Sequence, residues 1–307
     1  MKVLVVGGSG LIGGDAVLYL SSKGHDVAIM SRTSPQSPRL ARFRHVPGDY
    51  INDNIGDGRL EGFDALVFSA AADIRNLPTD GSETPEDFYS RANDEAVPRF
   101  FEAAAEAGIR RSVYIGTFYP QVAAHRIGVC SYVTSRHKTA VSVAAMSNEA
   151  FNTCCLNAPF VIGNVPGYVQ EHIFALLQYA RGNLEGMPVF APVGGTNFIT
   201  SQSMAEAVLN ALEKGESGKQ YLVGDENYSW KEYLEMWFSA AGNPQQLETR
   251  EDDHPLLPDA IMFAGVGAMV SYEPDPAETS LLGYGRGRVK DMVEELVAEY
   301  SAIDSGG

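Results

Sequence analysis

The feature that most constrains the fold lies at the start of the chain, where a short apolar run ends in glycines. The run from Val3 to Val6 is typical of a strand that is buried on both faces of a parallel sheet. Helical spacing follows the glycines, at Leu11, Ala16, Val17 and Leu20. A strand, a glycine turn and a helix in this order predict a dinucleotide site, and a purely structural turn is the alternative.

Three glycines, spaced as Gly7-x-x-Gly10-x-x-Gly13, have separate roles in the dinucleotide interpretation. The first two allow a tight turn and a close approach of the backbone to a pyrophosphate, and the third lets the helix pack against the strand. The free N–H groups of the first helical turn then face the phosphates. The predicted cofactor contacts in this loop are Gly7, Ser9, Gly10, Leu11, Ile12 and Gly13.

Composition argues against several classes of partner. The chain has 307 residues, 45% of them hydrophobic, and a formal net charge of -16, which disfavours binding to nucleic acid or to an anionic membrane. The three cysteines, Cys130, Cys154 and Cys155, form no CxxC pair, so neither a zinc site nor a disulfide framework is predicted. The glycines after the first apolar run do not fit a signal peptide. We therefore expect a cytoplasmic protein that acts on a small molecule, with no metal.

The end of the second predicted strand bears on the choice of cofactor. NAD sites usually have an acidic residue here, but this chain has Ser31 and then Arg32. A cation suits a 2′-phosphate, so Arg32 predicts NADP(H) rather than NAD(H), and a solvated loop arginine is the alternative. After the third strand, Asp49 could accept a hydrogen bond from an adenine amino group or cap the next turn.

The pattern along the chain predicts an α/β fold. Strands at 43–46, 64–71, 111–115 and 151–156 alternate with alanine-rich helices, as in a Rossmann-type doubly wound parallel sheet. The rhythm changes after residue 163, where short strands are predicted at 187–190 and 197–200, followed by a helix with Ser203 as N-cap and Glu206 completing a capping box. We expect a dinucleotide-binding domain at 1–160 plus about 193–224, and a substrate-binding region at 161–192 plus 225–307.

Several motifs together carry a resemblance to a known family. They are the glycine loop, Asp49, Ser69-Ala-Ala, Asn93, the strand 113–117, Tyr132-x-x-Ser135-Arg136, Pro159-x-x-x-Gly163, and the stretch from Phe198 to Glu206. With these motifs the chain resembles the extended short-chain dehydrogenase/reductases, specifically their epimerase/dehydratase-like group. The resemblance covers nearly the whole chain, and it is more specific for the fold than for the reaction.

The resemblance implies further cofactor contacts and an assembly. The implied contacts are Asp49, Tyr50, Ser69, Ala70, Ala71, Asn93, Tyr132, Arg136, Pro159, Phe160 and Ile162. In that family the helix after Asn93 and the helix from Tyr132 form a four-helix contact, and both are rich in small residues here. We therefore expect a homodimer.

The resemblance also implies catalytic roles. Thr117 would hold the substrate oxygen, Tyr132 would act as general acid or base, and the residue four positions later would lower the pKa of the phenol and bind the nicotinamide ribose. The family has lysine at that last position, and this chain has Arg136. Arg136 either substitutes for the lysine or marks a weak or lost redox activity. Tyr119 and His125 follow the fifth strand, where they would face substrate or serve packing and the surface.

Three functional hypotheses follow from the sequence. The first is an NADP(H)-dependent reductase or alcohol dehydrogenase that acts on a small to medium, partly apolar carbonyl or alcohol. The second is a nucleotide-sugar epimerase or dehydratase that recycles its cofactor, with the candidate cations Arg181, Arg286 and Arg288 for a diphosphate. The third is a redox-silent protein that senses NADP(H).

Overall fold

The computed structural model describes residues 1–305. The strands in chain order are β1 (Lys2–Val6), β2 (Asp26–Ser31), β3 (Arg44–Pro47), β4 (Ala65–Phe68), β5 (Arg111–Thr117), β6 (Asn152–Ala158), β7 (Phe160–Ile162), β8 (Ala191–Pro192), β9 (Gly195–Thr200), β10 (Gln220–Leu222), β11 (Glu226–Ser229) and β12 (Thr249–Arg250). The α-helices are α1 (Leu11–Ser22), α2 (Pro85–Tyr89), α3 (Ala96–Glu106), α4 (Tyr119–Val122), α5 (Ser131–Ala145), α6 (Glu171–Arg181), α7 (Ser201–Lys214), α8 (Trp230–Ala240), α9 (Pro276–Leu282) and α10 (Val289–Ser305).

The central element is a parallel sheet, which within residues 1–305 has seven strands in the order β10-β6-β5-β4-β1-β2-β3. Every neighbouring pair in it is parallel. Chain order reverses at β1, with β2 on one side and β4 on the other, so a crevice lies at the carboxyl end of β1. The predicted doubly wound α/β fold is confirmed.

Both faces of this sheet are covered, because alternate strand residues point to opposite sides. Val5 packs in one core with Val17 of α1, and Leu4 packs in the other core with Phe100 of α3. Double burial explains why β1 is apolar at consecutive positions rather than at alternate ones.

A second core lies beside the large sheet. The small sheet β11-β9-β7 and helices α6, α8 and α10 enclose buried residues that include Leu177, Trp237 and Leu296. Strand β9 links the two cores, since Phe198 packs in this one while Ile199 packs against the large sheet. The domain boundaries expected from the sequence stay a prediction.

Two local predictions were wrong. Residues 187–190 are not a strand: Phe190 N–H donates to Tyr179 Oη at 2.9 Å, so a side chain takes the place of a strand partner, and β8 begins at Ala191. The N-cap of α7 is Thr200 rather than Ser203, whose hydroxyl donates to Gly285 O at 2.7 Å. The predicted partner of that cap, Glu206, instead pairs with Arg288 at 2.9 Å.

The approach to α3 differs from an ordinary helix. α2 continues into a π-helical turn at Ser90–Glu95 before α3 begins, and this turn holds Asn93 fully buried. Such single wide turns are frequent at functional sites. Among residues 1–305, no helix is both long enough and apolar enough to cross a membrane.

Candidate active site

The glycine loop lies at the carboxyl end of β1 and opens α1. Gly7 has a φ of +78°, which a side chain would strain, and its N–H donates to Met30 O at 2.9 Å. A Cβ on Gly13 would collide with Gly7 O and lie 2.5 Å from Ser69 Oγ, so α1 can approach β1 this closely only without a side chain. At Gly10 an added Cβ would come no closer than 3.5 Å to Gly7 O. The first N–H groups of α1 have no acceptor within the helix and remain available to an anion.

The ends of β2 and β3 carry the residues expected at the adenosine half. Arg32 is exposed directly after β2. Asp49 follows β3, where its carboxylate accepts from Ile51 N–H at 2.9 Å and from Asn52 Nδ2 at 2.9 Å. The turn-capping alternative for Asp49 is therefore realised in the structure. Tyr50 is close enough to Arg136 and Arg32 for both charges to lower the pKa of its phenol, but burial dominates and raises that pKa to about 12.

The exit of β4 forms the other wall of the crevice. Ser69 Oγ donates to Val6 O at 2.8 Å, which fixes β4 to β1. Ala70 backs the glycine loop, since a Cβ on Gly7 would lie 2.7 Å from Ala70 N. Ala71 is exposed one residue further on. Asn93 reaches this wall from the π-helical turn, where its Nδ2 donates to Ala72 O at 3.2 Å.

The three predicted catalytic residues meet at the carboxyl edge of the sheet. Thr117 ends β5, and Tyr132 and Arg136 lie one turn apart on α5. Burial raises the pKa of the Tyr132 phenol above its ordinary value, and the Asp73 charge raises it further. The charges of Arg136 and Arg75 and a hydrogen bond with Thr117 lower that pKa in part. Arg136 therefore lowers the pKa of Tyr132, as expected of the lysine at this position in the resembling family, but burial has the larger effect. Tyr132 is protonated at neutral pH.

Arg136 is 3% exposed and is anchored on one side. Its Nη2 donates to Ile115 O at 2.7 Å, and its guanidinium lies 5.2 Å from the ring centroid of Tyr114. In the described part of the chain its Nε and Nη1 have no hydrogen-bond partner. Buried cationic donors without partners are costly, so they indicate a place for a polar group that is not part of the protein.

These features fit a nicotinamide dinucleotide. The glycine loop leaves room for a diphosphate at the start of α1, and the unpartnered N–H groups of Arg136 suit a ribose hydroxyl at the other end of the crevice. Around β7, Ile162 lies in the second core and the partly buried Phe160 packs against it, with 5.2 Å between the ring centroids of Phe160 and Phe198. The cofactor contacts expected of these two residues stay predictions. Pro159 is buried at the start of that segment.

Aromatic residues cover the phenol of Tyr132. Phe263 stacks on it at 4.2 Å between centroids and 26° between planes, and Tyr89 meets it edge-on at 5.5 Å. Tyr119 contacts Phe263 edge-on at 5.5 Å, so it has a packing role next to the site. His125 is exposed in the short 3-10 turn after α4. The ring faces of Tyr132 that Phe263 and Tyr89 contact are therefore apolar.

The candidate diphosphate cations are engaged with carboxylates elsewhere. Arg181 pairs with Asp304 at 2.7 Å. Arg286 lies 3.0 Å from Glu273, and Arg288 lies 2.9 Å from Glu206. A diphosphate would have to displace these carboxylates or find other donors.

Three residues of the site, Tyr114, Arg126 and Phe263, carry no signal in the sequence. Tyr114 lies in a buried strand whose pattern would be the same with an aliphatic residue at that position. Its contact with Arg136 depends on how α5 packs against β5. Phe263 lies in an apolar, glycine-containing stretch with no regular spacing. Both contacts bring together segments that are distant in sequence, so no local signal predicts them.

Comparisons with known proteins agree with this geometry. A family model described as the NAD dependent epimerase/dehydratase family matches residues 3–224. A UDP-glucose 4-epimerase of Corynebacterium glutamicum is 28% identical over 277 residues, which cover 80% of this chain and 82% of that protein. A 3-beta-hydroxysteroid dehydrogenase of Mycolicibacterium neoaurum is 31% identical over 116 residues, which cover 37% of this chain and 31% of that protein.

A solved structure extends the likeness to the whole fold. The UDP-glucose-4-epimerase of Stenotrophomonas maltophila, crystallised with bound NAD and formylated UDP-arabinopyranose, superposes with a TM-score of 0.76 over 100% of both chains. At 17% sequence identity, this match establishes the architecture alone.

Proposed function

Because the chain belongs to the NAD dependent epimerase/dehydratase family, we propose that it catalyses nicotinamide-dependent hydride transfer at a secondary-alcohol carbon of a nucleotide-linked sugar. The observation that carries the reaction type is the meeting of Thr117, Tyr132 and Arg136 at one edge of the sheet. The observation that favours a nucleotide-linked sugar is the 80% of this chain that aligns with a UDP-glucose 4-epimerase. In such an epimerase the substrate is oxidised and then reduced again, so no cofactor is consumed.

The side chains divide the work as follows. When bound, the nicotinamide ring would accept the hydride and return it. Tyr132 Oη would take the proton of the substrate hydroxyl as the ketone forms, and would give that proton back as the alcohol is restored. The Thr117 hydroxyl would donate a hydrogen bond to the same substrate oxygen. Arg136 would favour the ionised phenol, because its charge lowers the pKa of Tyr132.

The raised pKa of Tyr132 sets the expected pH dependence. Only the ionised phenol accepts a proton, so alcohol oxidation should become faster as pH rises above neutrality. Ketone reduction requires the protonated phenol and should fall over the same alkaline range.

For the cofactor we propose NAD(H). The family description names NAD, and the Stenotrophomonas maltophila structure contains it. Exposed Arg32 remains the argument for NADP(H), as the sequence analysis predicts.

A second candidate function is the net reductase or alcohol dehydrogenase of the first sequence hypothesis. Two observations favour it: the apolar cover of Tyr132 by Phe263, and the engagement of Arg181, Arg286 and Arg288 with carboxylates. A protonated Tyr132 is also the form that reduction requires.

The ratio of product formed to cofactor consumed separates these candidates. Purified protein is supplied with UDP-galactose and an equimolar amount of NAD⁺. UDP-glucose and any oxidised product are quantified by chromatography while absorbance at 340 nm is recorded. An epimerase forms product with no lasting change at 340 nm, whereas a dehydrogenase changes one cofactor for each product. Tyr132→Phe must abolish either activity. Tight cofactor binding without turnover of UDP-galactose or of simple ketones would contradict both candidates and favour the redox-silent sensor.

A further inference from the structure

Phe263 occupies an unusual position, because it joins a loop of the C-terminal half to the candidate catalytic tyrosine. Its ring stacks on that of Tyr132, with centroids 4.2 Å apart and an angle of 26° between planes. At this separation no substrate atom fits between the two rings. Phe263 therefore closes this face of the Tyr132 ring to a substrate.

The backbone of the loop around Phe263 fixes the position of this ring. It follows a 3-10 turn at Asp259–Ile261, and Met262 is buried at its base. Gly265 has a φ of +119° and Gly267 a φ of +74°, so the chain turns back directly after Phe263. Backbone bonds from Gly195 N to Ala268 O and from Val270 N to Gly195 O then fix the end of the loop to β9.

A side chain from the other half of the molecule holds the loop in place. Arg126 Nε donates to Phe263 O at 3.0 Å. Arg126 ends the short 3-10 turn after α4, on the segment that leads from β5 into α5. This bond therefore ties the cover to the stretch of chain between the two elements that carry Thr117 and Tyr132.

We propose that Phe263 is a specificity-determining residue of this site and that Arg126 is the residue that positions it. The ring limits the space beside the reacting carbon and makes that wall apolar. The site thus selects substrates that present a compact C–H face there, such as the face of a sugar ring or of a small cyclic alcohol. Substrates with a bulky or charged group next to the reacting carbon are rejected. This inference rests on the proposed hydride transfer at Tyr132.

The same contact gives a readout that needs no turnover. Phe263 helps to bury Tyr132, and burial is the main cause of the raised pKa of that phenol. Phe263→Ala would admit water and lower the pKa of Tyr132 toward its ordinary value. Phe263→Leu keeps apolar bulk without the ring and should give a smaller shift in the same direction. Val266→Ala, at a position 60% exposed in the same loop, is the matched control and should give none.

The titration is recorded as phenolate absorbance at 295 nm. Each variant is compared with the same variant carrying Tyr132→Phe, so that one phenol is isolated among the 14 tyrosines. A lower pKa in Phe263→Ala, a smaller shift in Phe263→Leu and no shift in Val266→Ala support the proposal. Arg126→Met should shift the pKa in the same direction, because it releases the loop. An unchanged titration in Phe263→Ala would overturn it.

Selectivity is measured with 2-propanol and 1-phenylethanol, with oxidation followed at 340 nm. Phe263→Ala should raise kcat/KM for the bulky alcohol relative to the small one by about tenfold or more, since one methylene in a pocket already changes selectivity by roughly 10- to 200-fold. An unchanged ratio would refute the specificity role. Failure of the wild-type protein to turn over either alcohol or UDP-galactose would refute the proposed function instead, and the phenolate titration would still decide whether Phe263 covers Tyr132.

Discussion

Replacing Arg136 with methionine tests whether a buried charge is kept for function rather than for stability. The guanidinium is 3% exposed, makes one hydrogen bond to Ile115 O at 2.7 Å and lies 5.2 Å from the Tyr114 ring centroid. Within residues 1–305, its Nε and Nη1 have no hydrogen-bond partner. Methionine is unbranched and adaptable, so it can occupy much of the same volume without the charge.

The expected change in stability is small because the opposing contributions are similar. Losing a hydrogen bond from a charged donor costs about 1.5–3 kcal/mol, and losing a desolvated cation–π contact costs about 2 kcal/mol. Removing a poorly paired buried ion returns several kcal/mol of desolvation energy. We therefore expect the free energy of unfolding of Arg136→Met to lie within about 2 kcal/mol of the wild-type value.

Function should respond quite differently. The Arg136 charge lowers the pKa of Tyr132, so its loss should raise that pKa further. The pH at which the rate of alcohol oxidation rises should therefore shift to a higher value. Turnover should fall by about 10²- to 10⁴-fold, the usual contribution of general acid–base catalysis. Binding of NADH should weaken as well, because the unpartnered N–H groups are removed.

The assays are urea unfolding followed by circular dichroism, fluorescence titration with NADH, and the UDP-galactose reaction. Arg111→Met is the control, because Arg111 also donates to a main-chain carbonyl, Glu213 O at 3.2 Å, but lies at the opposite end of β5. It should lose about 1 kcal/mol or less and keep full turnover. A loss of more than about 3 kcal/mol in Arg136→Met, or unchanged turnover, would refute the reasoning.

Three further predictions concern the cofactor crevice and the packing of α1. Gly13→Ala should lower the free energy of unfolding by about 1–3 kcal/mol and remove most of the NADH affinity, because its Cβ would lie 2.5 Å from Ser69 Oγ. Gly56→Ala is the control and should change neither quantity, because its Cβ would lie 3.6 Å from the nearest atom. Asp15 is buried against Ser201, and burial raises its pKa to about 6, so its ionisation destabilises the fold as pH rises from about 4 to 6. In thermal melts, Asp15→Asn should therefore stabilise the protein by up to about 3 kcal/mol at pH 7.5 and have no effect below pH ~4. Equal stabilisation at the two pH values would contradict a raised pKa of Asp15. Arg32→Ala should weaken NADPH binding more than NADH binding in fluorescence titrations, and wild-type protein that binds NADPH more than about tenfold tighter than NADH would contradict the proposal of NAD(H).

The sequence alone was enough to predict the doubly wound sheet and the glycine turn at its centre. Strand β1, the helix α1 and the glycines between them are local features, and each depends on residues only a few positions apart. The spacing of Tyr132 and Arg136 is also local, because one turn of helix separates them. Such local patterns predict structure because burial and backbone geometry determine which residue types occur at each position of a strand, turn or helix.

Tertiary structure decided the electrostatics and the cover of the site. The sequence predicted that Arg136 would lower the pKa of Tyr132, but burial by neighbouring segments is the larger effect and raises it. The contact of Phe263 with Tyr132 and the bond from Arg126 to Phe263 O join residues more than a hundred positions apart. Such contacts depend on how the two halves of the chain pack together, and desolvation depends on everything within several ångströms, so neither leaves a periodic trace in the sequence.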